Sequence, residues 1–167
     1  VCASPSRFYV HQSLYAAFCQ HFGDVARSLK VGPGLDPDTQ VGPMANRRGL
    51  VHAQNLVKDA LDRGARLLAG GGRPDMGHEK GYYFAPTALA DVPQDARIMQ
   101  DEPFGPVAPI APFGTFDEAI ALANSTPYGL ASYLFSSSLK TATLASEAIK
   151  AGTVGANEPA IASAEMP

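Results

Sequence analysis

The chain has 167 residues, of which 46% are hydrophobic and 17% are charged, and its formal net charge is −3. This composition predicts a globular protein with a true core rather than a disordered chain. The slightly acidic charge argues against nucleic acid or an anionic membrane as a partner. No apolar run has the length that a membrane-spanning helix needs.

The cysteines and histidines limit the kinds of site that we expect. Two cysteines, Cys2 and Cys19, do not suggest a disulfide framework, so reduced thiols and a cytoplasmic location are the expectation. Neither C-x-x-C nor H-E-x-x-H occurs, and the four histidines are scattered without the spacing of metal ligands. We therefore expect no metal. The histidines are His11, His21, His52 and His78.

The chain begins with a predicted strand, RFYVH, and a predicted amphipathic helix over residues 13–30. Glycines and prolines then break regular structure over residues 31–43. The apolar side expected for the helix consists of Leu14, Phe18, Val25 and Leu29.

A second helix is predicted between a cap at Asn46 and a stop at Gly64. The apolar run ARLLAGG follows it as a short strand. The next two strand-like stretches, GYYFAPTALADV and GPVAPIAPF, carry prolines, which predicts sheet edges or bends. The buried face expected for the helix consists of Leu50, Ala53, Val57, Ala60 and Leu61.

Strands and helices alternate in the remaining chain. Thr115 and Glu118 form a capping box before the helix FDEAIALANS, and Pro127 with Gly129 ends it. LASYLFSS predicts a buried strand, LKTATLASEAIK a helix, and GTVGAN a last strand. Short connections favour an α/β fold with a largely parallel sheet and flanking helices. The simplest organisation is a single domain.

Cys2 is a candidate nucleophile. Its loop carries serines and the cationic Arg7, which would favour the reactive thiolate. Taken alone, Cys2 is better interpreted as a structural or incidental cysteine with no catalytic role. Cys19 lies beside the apolar stripe of the first helix, where a structural role is the stronger interpretation.

Two further stretches could contact a ligand. In DEPFGPV, Pro103 favours an extended backbone, which puts Glu102 and Phe104 on one side, suited to hydroxyls and a flat ring. A solvated glutamate beside a core phenylalanine explains the pattern equally well. Asn157 and Glu158 follow a strand where α/β folds place ligand loops, although an ordinary surface loop is the alternative. The glycines at 70–72 fit a turn better than a phosphate loop.

Five stretches together resemble the aldehyde dehydrogenase superfamily in order and spacing: VCASPSRFYVH, GPGLDPDTQVGPM, DEPFGPV, ANSTPYGLASYLFS and GTVGANEPAIASAEMP. The resemblance covers essentially the whole chain. It is nearest to the succinate-semialdehyde dehydrogenase branch, whose late segment similarly reads N-E-x-x-I-x-S.

The resemblance implies roles for three residues. Cys2 matches the nucleophilic cysteine that forms a thiohemiacetal and then a thioester, and its backbone N–H is one oxyanion donor. Glu102 matches the residue that binds the nicotinamide ribose of NAD or NADP, and Phe104 packs near the nicotinamide. The resemblance further implies an aldehyde substrate, a semialdehyde such as succinate semialdehyde, and a homo-oligomer in the full-length form.

The resemblance also implies that residues 1–167 are the carboxyl-terminal, thiol-bearing catalytic domain of a longer enzyme, truncated at both ends. The family's cofactor-binding domain, general base and oxyanion asparagine lie upstream of its cysteine. The chain alone is then not expected to turn over. Two alternatives remain open: a thiol esterase or acyl-transfer protein without nicotinamide, and a non-enzymatic remnant domain.

Overall fold

The structure is a computed structural model that describes residues 2–76 and 80–161. Its described residues divide into two compact units. The larger unit is Ser6–Pro112, and the smaller unit consists of residues 2–5 and 113–161. The assignment of residues 1–167 to one catalytic domain stays a prediction, because compact units are not by themselves separate domains.

The larger unit is a four-stranded sheet with helices, and it confirms the α/β class. The strand order is β1-β4-β3-β2. β3 pairs parallel to β4, whereas β2 pairs antiparallel to β3, so the prediction of a largely parallel sheet is corrected to a mixed one. In the described residues between β2 and β3, 70–76 and 80–86, no helix occurs, and an antiparallel return needs none. The elements are β1 Phe8–His11, α1 Gln12–Ser28, α2 Arg47–Asp62, β2 Arg66–Ala69, β3 Thr87–Ala90, α3 Arg97–Gln100 and β4 Val107–Phe113.

The two proline-bearing stretches supply strands inside the sheet, so their prediction as edges is wrong; Pro86 lies just before β3, and β4 is the strand that contains prolines. β3 and β4 are the two central strands, and Pro109 is fully buried opposite Leu89. The Thr87 N–H donates to the Pro106 carbonyl at 2.8 Å. In this register the nitrogen of Pro109 points away from β3, and the proline therefore removes no hydrogen bond from the β3–β4 ladder.

Both faces of the central strands are buried. Leu89, Val107 and Ala111 pack in one cluster with apolar residues of α2 and α3. Ala90 and Ile110 pack in another cluster with Val10 and Cys19. The alternation of side chains along a strand thus places helices against both faces of the sheet.

The first helix exists as predicted, and Phe18 of the predicted apolar side packs against the core, but the buried residues are different ones. Leu14 and Val25 are 64% and 60% exposed, whereas Cys19, Gly23 and Ala26 are buried. Small residues let α1 approach the sheet closely, since a Cβ added at Gly23 would lie 3.3 Å from Leu68 Cβ. The side of α1 that faces the sheet therefore combines small residues with the partly buried rings of Tyr15, Phe18 and Phe22.

The second helix is confirmed together with both of its ends. Asn46 accepts a hydrogen bond from the Gly49 N–H at 2.9 Å, and Gly64 has the left-handed φ of 98° that a residue after the helix adopts. Its buried residues are Ala53, Leu56, Val57 and Ala60. Leu56 is therefore in the core, where the prediction had Leu61, which is 36% exposed.

The smaller unit contains a two-stranded parallel sheet, β5-β6, whose register runs from Ala131↔Thr153 to Leu134↔Ala156. Thr115 Oγ1 accepts from the Glu118 N–H at 3.2 Å, as the capping box predicts, and the Glu118 carboxylate accepts from the Gly114 N–H. β5 is half-buried along its length rather than buried. The elements are α4 Phe116–Ala123, β5 Ala131–Leu134, α5 Leu139–Ala148 and β6 Thr153–Ala156.

Within the described ranges 2–76 and 80–161, every helix is too short or too polar to cross a lipid bilayer.

We predict that Asn46→Ala destabilises the chain, because the cap side chain satisfies a helix N–H that otherwise has no partner. The free energy of unfolding measured with urea should fall by about 1 kcal/mol. Asn55→Ala on the exposed side of α2 is the matched control, and it should leave stability nearly unchanged. Equal losses in the two variants would contradict the capping role.

Candidate active site

Cys2 is exposed at the start of a turn in the smaller unit. The carbonyl oxygen of the next residue, Ala3, accepts a hydrogen bond of 2.5 Å from the Tyr133 hydroxyl. Tyr133 lies on β5 and is half-buried. A strand of the smaller unit therefore holds the backbone beside the thiol, while the thiol itself is exposed to solvent.

Arg7 belongs to the larger unit, where it interacts with an aromatic ring. Its guanidinium donates to Tyr9 Oη at 3.2 Å, and its Cζ lies 5.6 Å from the ring centroid. The Tyr9 hydroxyl in turn donates to Gln94 Oε1 at 3.2 Å. The effect of Arg7 on the ionisation of Cys2 stays a prediction.

Cys19 has the surroundings of a structural cysteine. It is 3% exposed and packs with Val10, Ala90 and Ile110. Burial raises the pKa of its thiol, because the charged thiolate would lose its hydration. A group that stays protonated out of reach of solvent is a poor nucleophile.

Glu102 and Phe104 lie on one segment of the larger unit, between the end of α3 and the start of β4. Both side chains are exposed, Phe104 by 56%. Among the described residues, the Glu102 carboxylate makes no hydrogen bond. Phe104 is therefore not a core residue. This excludes the interpretation in which a solvated glutamate lies beside a core phenylalanine.

The backbone of this segment is supported from several sides. His52 Nε2 on α2 is 3.4 Å from the Glu102 carbonyl oxygen. The Asp101 N–H donates to the Arg97 carbonyl at 2.7 Å, and a Cβ added at Gly105 would lie 3.2 Å from Met44 Cε. These contacts hold the backbone while the two candidate side chains remain available to a ligand.

The polar pair after β6 is engaged in structural contacts. Asn157 Oδ1 accepts from the Ser136 N–H, and its Nδ2 donates to the Ser136 carbonyl, both at 2.9 Å. The Glu158 carboxylate accepts from the Ala160 N–H at 2.7 Å. These bonds favour the ordinary-loop interpretation over ligand contact. The following residues, 162–167, lie outside the described part of the chain.

The glycines at 70–72 lie in irregular backbone directly after β2, with a bend at Gly72, and no helix starts there as a phosphate loop would need. Gly70 and Gly71 have φ values of 71° and 92°, and the Gly71 N–H donates to Thr87 Oγ1 at 2.8 Å. This N–H serves the fold. In the part of the chain that the structure describes, no three His, Cys, Asp or Glu side chains are grouped as metal ligands.

The sequence interpretation missed two supporting residues, Tyr133 and His52. Each contacts a backbone carbonyl next to or within a candidate stretch, and Tyr133 is 130 positions from its partner. A tyrosine in an otherwise small and apolar strand, ASYL, was the one available signal that a hydroxyl needs a partner there. Its partner lies outside the reach of any local pattern.

The described geometry is that of an α/β protein with one exposed and one buried thiol, and with an exposed acid and aromatic pair beside a strand entry. The model of the Aldehyde dehydrogenase family matches residues 1–167. The chain therefore belongs to the aldehyde dehydrogenase family, which confirms the resemblance seen in its motifs.

Two curated relatives illustrate the similarity. The 4-(hydroxymethyl)benzenesulfonate dehydrogenase TsaD1 of Comamonas testosteroni is 43% identical over 166 residues, which are 99% of this chain and 34% of that protein. The succinate-semialdehyde dehydrogenase of Paenarthrobacter nicotinovorans is 42% identical over 168 residues, which are 99% of this chain and 36% of that protein.

A solved structure supports the fold. The succinate-semialdehyde dehydrogenase from Burkholderia pseudomallei matches all of this chain and 34% of its own with a TM-score of 0.96 and 34% identity. The chain thus spans about a third of the length of the relatives it matches. Its assignment to their carboxyl-terminal part stays a prediction.

We predict that Cys2 reacts with limiting iodoacetamide much faster than Cys19 in the folded chain. Cys2 is exposed, whereas burial both shields Cys19 and raises the pKa of its thiol. Peptide mapping by mass spectrometry measures the two rates, and unfolding in urea should bring them close together. Preferential labelling of Cys19 without urea would contradict the assignment.

Proposed function

We propose that this chain is the thiol-bearing part of an NAD(P)-dependent aldehyde dehydrogenase that oxidises an aldehyde to a carboxylic acid. The observation that carries the proposal is an exposed cysteine at the family's nucleophile motif, in a chain matched by the family model throughout. The activity belongs to the longer protein, because the chain spans about a third of its relatives.

In the proposed mechanism Cys2 is the nucleophile. Its thiolate sulfur forms a bond to the aldehyde carbon, and the carbonyl electrons move to oxygen, which accepts a hydrogen bond from the Cys2 backbone N–H. NAD or NADP, which Glu102 and Phe104 would hold, would supply the hydride acceptor needed to convert the thiohemiacetal on Cys2 into a thioester. Water then cleaves the thioester on Cys2, which releases the acid and frees the thiol. We assign the base that activates this water to no residue of this chain.

Glu102 and Phe104 are the residues that we propose to hold the nicotinamide end of the cofactor. A carboxylate without a hydrogen-bond partner among the described residues can accept from both hydroxyls of a ribose. A half-exposed aromatic ring two residues later offers a flat apolar surface to another ring. The proposal covers NAD and NADP alike, because the two cofactors share this end of the molecule.

We propose a substrate that carries an anionic group away from the aldehyde, such as succinate semialdehyde. The two curated relatives are named for a semialdehyde with a carboxylate and for a compound with a sulfonate. Both groups are anions, although they differ in shape.

A cytoplasmic location and a homo-oligomer in the longer protein are part of the proposal. The location is supported by two cysteines that form no disulfide in the structure and suit a reducing compartment. The homo-oligomer is supported by family membership.

We predict that the 167-residue chain mixed with NAD or NADP and short aldehydes produces no sustained absorbance from reduced cofactor. Much of the rate of hydride transfer comes from holding both reactants in place, and two contacts cannot do so. Thiohemiacetal formation needs no cofactor, and succinate semialdehyde should therefore protect Cys2, but not Cys19, from iodoacetamide.

Each other result of this assay points to a different function. Sustained turnover would contradict the assignment to one part of a longer enzyme. Ester hydrolysis without nicotinamide would favour a thiol esterase or acyl-transfer protein. A Cys2 that neither reagent nor aldehyde touches would favour a non-enzymatic domain.

We predict that Glu102 binds cofactor rather than transferring protons. The chain would be grafted in place of the matching third of the Burkholderia pseudomallei enzyme, and the graft would first be shown to oxidise an aldehyde. Glu102→Gln should then raise the KM for cofactor and slow hydride transfer, each roughly tenfold, because a charged hydrogen bond becomes a neutral one.

The pH profile separates the two roles of Glu102. Loss of a general base would remove the acidic limb of the pH–rate profile. Loss of a cofactor contact should leave the shape of that profile unchanged. Glu147→Gln, an exposed glutamate of α5, is the matched control and should change neither constant. Unaltered cofactor dependence in Glu102→Gln would rule out the proposed contact.

A further inference from the structure

We propose that Tyr133 is a positioning residue for the Cys2 thiol, an inference that rests on the proposed role of Cys2 as nucleophile. Tyr133 contacts the backbone next to Cys2 through the hydrogen bond from its hydroxyl to the Ala3 carbonyl, 2.5 Å long. It therefore acts through Ala3 and the turn that contains both residues.

This hydrogen bond is the main contact that holds the turn at Cys2 and Ala3 in place. Residues 2–5 lie outside every helix and strand, and Cys2 is exposed. Within the described part of the chain, the bond from Tyr133 is the one hydrogen bond between residues 2–5 and the rest. Without it, the turn would be free to move about the backbone bonds of Ser4 and Pro5.

The tyrosine is itself held on a rigid element. It sits within β5 directly opposite Gly155 of β6. A Cβ added at Gly155 would lie 3.2 Å from Tyr133 Cδ1, 2.6 Å from Ile161 Cγ2 and 2.4 Å from the Glu158 carbonyl oxygen. The ring thus packs where only a glycine leaves room, so its hydroxyl is presented at a defined place.

The end of β5 is fixed as well. Two hydrogen bonds between Asn157 and Ser136 join the residues that follow β6 and β5. The path from the parallel strand pair to the turn therefore consists of backbone pairing, one packed ring and one hydrogen bond. Such support determines whether a reacting group stays within the narrow geometry that attack on a carbonyl needs.

The direct test is Tyr133→Phe, which removes the hydroxyl and keeps the ring. Conformational exchange of the turn, measured by NMR relaxation at the backbone of Ala3 and Ser4, should become about fivefold faster, the factor that one ordinary hydrogen bond contributes. The succinate semialdehyde concentration that half-protects Cys2 from iodoacetamide should rise by a similar factor. The alkylation rate without aldehyde should change less than twofold, since the thiol is already exposed.

Tyr128→Phe is the matched control. Tyr128 lies in the same unit, is 51% exposed and makes no hydrogen bond through its hydroxyl among the described residues. It should leave exchange and half-protection unchanged. Unchanged exchange and half-protection in Tyr133→Phe, or equal changes in Tyr128→Phe, would overturn the proposal.

The reactivity of Cys19 distinguishes a general loss of structure from loss of the hydrogen bond between Tyr133 and Ala3. If Tyr133→Phe exposes Cys19 to iodoacetamide, the test moves to two non-natural residues at position 133. A 4-aminophenylalanine keeps a donor at the ring position of the hydroxyl, and a 4-fluorophenylalanine fills the same place without one. Slow exchange with the amino group and fast exchange with fluorine would support positioning, and equal exchange would overturn it.

The two readouts also separate this proposal from the proposed function. Failure of the aldehyde to protect Cys2 in the unaltered chain would contradict the nucleophile assignment, whatever the exchange rates are. Protection in the unaltered chain with no effect of Tyr133→Phe on exchange or half-protection would leave the function standing and remove the role of Tyr133.

Discussion

The burial of β3 and β4 on both faces is the constraint on which the larger unit depends. Leu89 and Ile110 are completely buried on the two central strands and belong to different clusters, one against α2 and α3 and one against α1. A strand that is apolar on both sides must be covered twice, which demands helices on both faces. The close approach of α1 through Gly23 and the buried Leu56 of α2 both follow from this demand.

That buried sheet also determines where the proposed cofactor residues lie. β4 enters the sheet at Val107, directly after the segment with Glu102 and Phe104. The strand cannot shift without exposing apolar surface, and α3 is held on the other side by the fully buried Ile98. The backbone of Glu102 and Phe104 can therefore be kept in place without contacts from their own exposed side chains.

The smaller unit uses a different kind of support for the proposed nucleophile. Its strand pair is short, and β5 is half-buried, so hydrophobic burial contributes less there. Specific hydrogen bonds contribute the support instead. The side-chain amide of Asn157 bonds to the Ser136 backbone, and the Tyr133 hydroxyl donates to the Ala3 carbonyl. The proposed nucleophile and the proposed cofactor residues are thus held by two different means within one chain, which is why a single hydroxyl is expected to affect one of them selectively.

The sequence by itself determined the local features of this protein. Caps at Asn46 and Thr115, the stop at Gly64 and the alternation of strands and helices depend on neighbours in the chain, and all appear in the structure. The motif order determined the family. The candidate residues Cys2, Glu102 and Phe104 came from motifs too, and their roles remain proposals that experiments have to test.

Only the tertiary structure decided features that depend on residues far apart. β2 pairs antiparallel, Pro109 lies in a central strand, and α1 buries Cys19 and Gly23 rather than Leu14. Each outcome depends on which surface meets the element, and the hydrophobicity of one segment does not contain that information. The contact of Tyr133 with Ala3 is the extreme case, since a hydrogen bond across 130 positions exists only once the chain has folded.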